Sequence, residues 1–183
     1  MARYTRYRKY SRRYRRKGIW SNRISNISGS QSAAPGAEYI IYYNLAQNPQ
    51  QNNDTISNKY TVKNINLQLE ISGEVGTLND VENLQAFICF VPQGYIPTGV
   101  PSAYRDLPYN HPEWIMAHRF IGAPQSDTSN YYPPLRISSR LARKLDTGDR
   151  IVLIILGNNT AEGFETSSTI DYRGIVKYVT KAN

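Results

Sequence analysis

The sequence predicts an all-β protein, an antiparallel β-sandwich or jelly roll preceded by a disordered basic arm. Three observations predict it. Segments rich in aromatic and β-branched residues recur over positions 38–183, separated by polar or proline-containing tracts. One of these segments alternates apolar and polar side chains with a period of two. The positive surplus sits at the front: residues 1–17 hold nine of the 22 Lys and Arg, four tyrosines and no acid, leaving 13 basic against 14 acidic side chains, net −1, in the remainder.

Taken in order, the arm (residues 1–17) cannot fold alone, because nine like charges repel and there is almost no aliphatic side chain to build a core. Residues 18–37 turn to Ser, Asn, Gly and Ala, with Ile19, Trp20, Ile24 and Ile27 scattered among them, and read as a linker pinned by those apolar residues. Residues 38–183 form the folded domain. Its first strand is EYIIYYNL (Glu38 to Leu45), followed by the polar loop QNPQQNND. In KYTVKNINLQLEISGEV, Ile65, Leu67, Leu69 and Ile71 share odd positions, whereas Tyr60 and Val62 lie on even ones. The apolar face changes parity near Lys63 and Asn64, which predicts a β-bulge there.

Leu84 to Val91 is apolar on both faces and ends at Pro92. Trp114 to Phe120, Leu135 to Leu141, Arg150 to Asn159 and Ser168 to Thr180 supply the remaining strands, about seven or eight in all. Eight of the ten prolines fall between Pro92 and Pro134, so that stretch is expected to be loop-dominated. Helical signals are confined to LNDVENL (Leu78 to Leu84) and SRLARKL (Ser139 to Leu145), each enough for a turn or two.

Several functions are excluded by counting. The longest apolar run, Ile151 to Leu156, is far short of the ~18 residues a membrane-spanning helix requires, so no membrane insertion is expected. The charged N-terminus lacks the apolar stretch of a secretory signal. A single cysteine, Cys89, allows no internal disulfide and no multi-cysteine zinc site, and its setting in AFICFV reads as a buried thiol. There are two histidines, His111 and His118, and no HExxH, GxSxG, P-loop or GxGxxG pattern, so neither an enzyme nor a cofactor is expected. Asp146 and Asp149 flank Gly148 in LDTGDR, the pattern of a tight turn whose carboxylates bond nearby backbone groups.

The arm carries the chemistry. Its cations Arg3, Arg6, Arg8, Lys9, Arg12, Arg13, Arg15, Arg16 and Lys17 bind phosphates by releasing condensed counterions, a sequence-independent term that grows with the number of contacts. Tyr4, Tyr7, Tyr10 and Tyr14 are interleaved with them, and each ring can stack on an unpaired base for about 1–3 kcal/mol. The combination suits single-stranded nucleic acid. Clusters such as RRYRRK also serve as nuclear import signals.

These features, with the segment RKLDTGDRIVLIILGNN and the terminal DYRGIVKYVTKAN, resemble the capsid proteins of small circular single-stranded DNA viruses, the circoviruses and their environmental relatives. The resemblance implies a single eight-stranded jelly-roll shell domain, with about sixty copies closing an icosahedral particle. It further implies that the arm lies on the genome, with DNA favoured over RNA as cargo, and that the protein resides in the virion and passes through host cytoplasm and nucleus. Host import factors and a receptor join the expected partners. On an inner wall, Trp20 and Arg23, just after the arm, are the candidate nucleic-acid contacts, with Lys59 and Lys63 behind them.

Two other readings stay open. A ribosomal or architectural nucleic-acid-binding protein would usually be basic over its folded body too, and this body is net −1. A lectin-like jelly roll with an incidental tail is also compatible, whereas a cupin needs a histidine-rich metal set. Stacking and phosphate contacts do not read the 2′-hydroxyl, so the coat of a satellite RNA virus shares the same pattern.

Overall fold

The computed structural model describes residues 20–48, 60–73, 81–95, 101–122, 131–160 and 167–182. The predicted arm, residues 1–17, lies outside the described residues. The strands are β1 (Trp20–Ala33), β2 (Glu38–Gln47), β3 (Tyr60–Gly73), β4 (Val81–Val91), β5 (Ile115–Phe120), β6 (Leu135–Ser139), β7 (Arg143–Leu145), β8 (Arg150–Asn159) and β9 (Ser168–Ala182). Among the described residues, helix α1 (Pro101–Asn110) and a 3-10 turn at Pro112–Trp114 stand between β4 and β5.

All pairings are antiparallel, and they are nested. β1 pairs with β9, β2 with β8, β3 with both β6 and β7, and β4 with β5. Such a ribbon, rolled on itself, gives one sheet in the order β1-β9-β3-β6 with β7 also on β3, and a second in the order β2-β8-β4-β5. This is a jelly roll. β6 and β7 lie end to end along β3, opposite Ile65 to Leu69 and Tyr60 to Val62, so the named strands occupy the expected eight positions.

The period-two pattern of β3 explains its place. Val62, Ile65, Leu67, Leu69 and Ile71 are all buried in the core between the sheets. The predicted bulge is present: the register with β9 shifts between Lys63 and Asn66, and Asn64 takes a positive φ of 53°. Asparagine tolerates that region better than most residues, so the bulge carries little strain.

The central strands of the second sheet, β4 and β8, are buried on both sides. Phe87, Cys89 and Val91 of β4 and Val152, Ile154 and Leu156 of β8 turn away from the first sheet and pack under Tyr104 and Leu107 of α1. That double burial is why AFICFV and IVLIIL show no alternation. Burial pushes the Cys89 thiol up to about 12, so it is an inert packing group.

Three expectations are corrected. The supposed linker 18–37 contains β1, whose 14 residues pair in continuous register with β9; a Ser- and Asn-rich segment becomes a strand because its partner supplies the ladder. The proline-rich stretch holds α1 as well as loops. Pro101 opens that helix, where no N–H partner is needed, and Pro108 within it is buried, the apolar cover outweighing the lost hydrogen bond. Conversely, the segments expected to turn helically carry the start of β4 from Val81 and the short strand β7. Among the described residues no helix is long and apolar enough to cross a membrane.

Candidate nucleic-acid interface

Of the candidate residues, Trp20, Arg23 and Lys63 are described; Lys63 is on β3, and Trp20 and Arg23 both lie on β1 at the edge of the first sheet. Their odd spacing puts them on opposite faces. Trp20 pairs with Lys181 on the outer face, whereas Arg23 pairs with Tyr178, which packs toward the core. The two are therefore not brought together. The arm candidates from Arg3 to Lys17 lie outside the described residues, as does Lys59.

Trp20 instead joins lysines contributed by other strands. The Lys63 ammonium lies 3.8 Å from the centre of the Trp20 ring and the Lys181 ammonium 5.8 Å from it. Both distances are within cation–π range, worth about 0.5–1 kcal/mol at exposed sites. Partners in an antiparallel ladder share a face, so the register maps the outer side of the sheet rung by rung. The first rung is Trp20, Lys181, Thr61 and Lys144; the second is Asn22, Val179 and Lys63; the third is Ile24, Lys177 and Asn66. Among the described residues no carboxylate stands on these three rungs.

Further along the same face the polarity changes. Asn26, Ile175, Gln68 and Arg136 form the next rung and border a cleft of about 540 Å³. Beyond it Arg173 is paired to Glu70 at 2.9 Å, and Asp171 stands at the far end. Among the described residues the face thus carries six cations against two carboxylates, with the unbalanced charge at the Trp20 corner. None of the four lysines is ion-paired among the described residues, where the pairs are Arg105 with Glu38 and Asp106, His111 with Glu113, and Arg173 with Glu70. No described helix covers this face, α1 lying on the other sheet.

The remaining polar groups are structural. Arg105 is held between Glu38 at 3.1 Å and Asp106 at 2.7 Å, so its guanidinium is already satisfied. His111 bonds Glu113 and the Tyr95 hydroxyl while stacking on Trp114 with ring centres 3.8 Å apart. His118 stacks on Phe87, and partial desolvation there lowers its pKa. Asp149 accepts backbone N–H bonds from Gln93 at 2.9 Å and Asp146 at 2.8 Å, as the turn reading of LDTGDR expects. No group of three or more His, Cys, Asp or Glu among the described residues is placed to hold a metal ion.

Sequence reasoning missed Lys144, Lys177 and Lys181. The only signal for the last two was their odd parity in the terminal strand, shared with exposed Asp171, Arg173 and Ile175.

No family model and no curated protein matches the chain. A chain of a solved structure of infectious bursal disease virus, Gt strain, aligns at 10% identity over 88% of this chain and 41% of that chain, with a TM-score of 0.16. The present chain thus spans well under half of that neighbour's length, and a score of this size carries no argument about function.

Proposed function

We propose that the chain is the coat protein of a small circular single-stranded DNA virus, closing an icosahedral shell from identical jelly-roll bodies and packaging the genome through residues 1–17. The observation that carries this reading is the division of charge on one chain. A nine-cation, tyrosine-interleaved arm precedes a jelly-roll body that is close to neutral overall but carries a basic corner at Trp20. Viral capsid domains and lectins share the jelly-roll architecture, and the arm favours the first of these.

In this role the arms collect on the single strand by counterion release and base stacking. Bodies tethered to one polyanion reach a high local concentration, and near-neutral bodies pack without strong mutual repulsion. About sixty copies closing by symmetry give the particle. The role is structural rather than catalytic, exercised in the virion, with the arm also serving import into the host nucleus.

The test is assembly. Purified full-length protein mixed with single-stranded DNA is expected to form uniform closed particles by negative-stain electron microscopy. A protein that stays monomeric with DNA present would sink the reading.

A further inference from the structure

We infer that the outer face of the first sheet at its Trp20 corner is a second single-stranded nucleic-acid site, separate from the arm, in which Lys63, Lys144, Lys177 and Lys181 hold successive phosphates and Trp20 contacts a base. The inference rests on the packaging role proposed above and names the surface of the body that takes part in it.

The argument starts from spacing. Rungs of a sheet face repeat every two residues, about 7 Å along the strands, and neighbouring strands lie about 5 Å apart. Lys181 and Lys144 share a rung with β3 between them, Lys63 lies on the next rung, and Lys177 on the one after. Four ammonium groups therefore stand within two or three rungs of one another, comparable to the spacing of phosphates along a stretched single strand.

At physiological ionic strength charges separated by about 8 Å still feel each other, so these ammoniums repel in the free protein. Elsewhere on the face a carboxylate supplies the balance, as Glu70 does for Arg173. At this corner none does among the described residues. A chain whose body is net −1 has gathered an uncompensated cluster from three strands far apart in sequence. A polyanion is the ligand that relieves it.

Trp20 selects the kind of polyanion. It is 40% exposed at the edge of the cluster, where its ring can stack on an unpaired base while the neighbouring lysines hold phosphates. Trp20 is also only three residues in sequence from the last arm cation, Lys17. The exposed Ile24 and Ile175 and the amides of Asn26 and Gln68 continue the track toward the cleft beside Arg136.

The experiment measures affinity of the full chain for a short oligothymidylate as a function of salt. For single strands the slope of log K against log salt falls by about 0.7 per phosphate contact. The variant Lys63→Gln/Lys144→Gln/Lys177→Gln/Lys181→Gln is expected to flatten the slope by about 3 relative to the parent. The milder Lys63→Gln/Lys181→Gln, checked for folding by circular dichroism, is expected to flatten it by about 1.4. Arg105→Gln/Arg119→Gln, two cations off this face, is expected to leave it unchanged. In a Trp114→Phe background, oligothymidylate quenches Trp20 fluorescence and heparin does not.

A slope unmoved in both lysine variants, a control that moves it equally, or quenching by heparin but not by oligothymidylate overturns the inference. These outcomes are independent of assembly. Particles that form normally while the lysine variants change nothing leave the coat reading standing and remove this site; failed assembly with the expected slope changes does the reverse.

Discussion

The Lys63 ammonium lies 3.8 Å from the centre of the Trp20 ring although the residues sit on β3 and β1, with β9 between them. The contact follows from the bulge at Asn64. Upstream of it Thr61 and Lys63 face outward, and downstream Asn66, Gln68 and Glu70 do, while Val62 and Ile65 both stay in the core. Without the extra residue one half of β3 would present its apolar set to water. The same irregularity that completes the core thus places a lysine over the tryptophan.

Gly174→Ala is expected to destabilise the protein by about 2 kcal/mol or more. Its added methyl would collide with the Gln68 carbonyl oxygen and approach the Leu69 Cα at 3.0 Å, both backbone atoms of the central strand β3. Chemical denaturation checks this. A change within a few tenths of a kcal/mol would show that β9 and β3 are not so closely apposed.

Asp149→Ala is expected to cost about 2 kcal/mol, since it strips the carboxylate from the N–H groups of Gln93 and Asp146. These bonds tie the end of β4 to the β7–β8 turn, where Gly148 adopts a φ of +85°. Asp149→Asn, which retains one acceptor oxygen, should lose less. Equal stability for parent and alanine variant would contradict the arrangement.

Cys89 is expected to be unreactive toward a thiol reagent in the native protein at pH 8. With its pKa near 12 the thiolate fraction is about one in ten thousand, and the sulfur is covered by α1 and β8. One equivalent should react after denaturation. Rapid native labelling would mean that α1 does not stay docked.

His118 makes stability depend on acid in a defined direction. Partial desolvation against Phe87 lowers its pKa below the ordinary 6.5, so the unfolded chain takes up the proton first. Its contribution is therefore intact above pH 6.5 and is lost as the pH falls from there toward the folded-state value. The variant His118→Phe keeps a ring against Phe87 and should show a smaller loss between pH 7 and pH 5, read by thermal melts. An identical acid dependence in both proteins would refute the assignment.

What the sequence disclosed and what it hid have physical reasons. β3 was legible down to its bulge because one face is buried, and burial writes parity into the residue order. β1 was not, since most of its outer positions are Ser and Asn and its order comes from pairing with β9, 137 residues away at the Ser32–Thr169 contact. α1 was hidden behind Pro101 and Pro108, because its role is to cover Cys89 and Ile154 rather than to express helix propensity. The basic arm was evident as a run of charge, whereas the lysine corner was not: Lys63, Lys144, Lys177 and Lys181 become neighbours only when the ribbon rolls up.

The measurement that bears most directly on the central claim compares particles made by the full chain with those made by a chain lacking residues 1–17. Electron microscopy reports closure and the ultraviolet absorbance ratio of purified particles reports cargo. The account predicts closed, nucleic-acid-filled particles from the full chain and a marked loss of cargo, with the jelly-roll body still folded, from the truncated one. Closed particles from the full chain that contain no nucleic acid, or equal cargo in both, would contradict it.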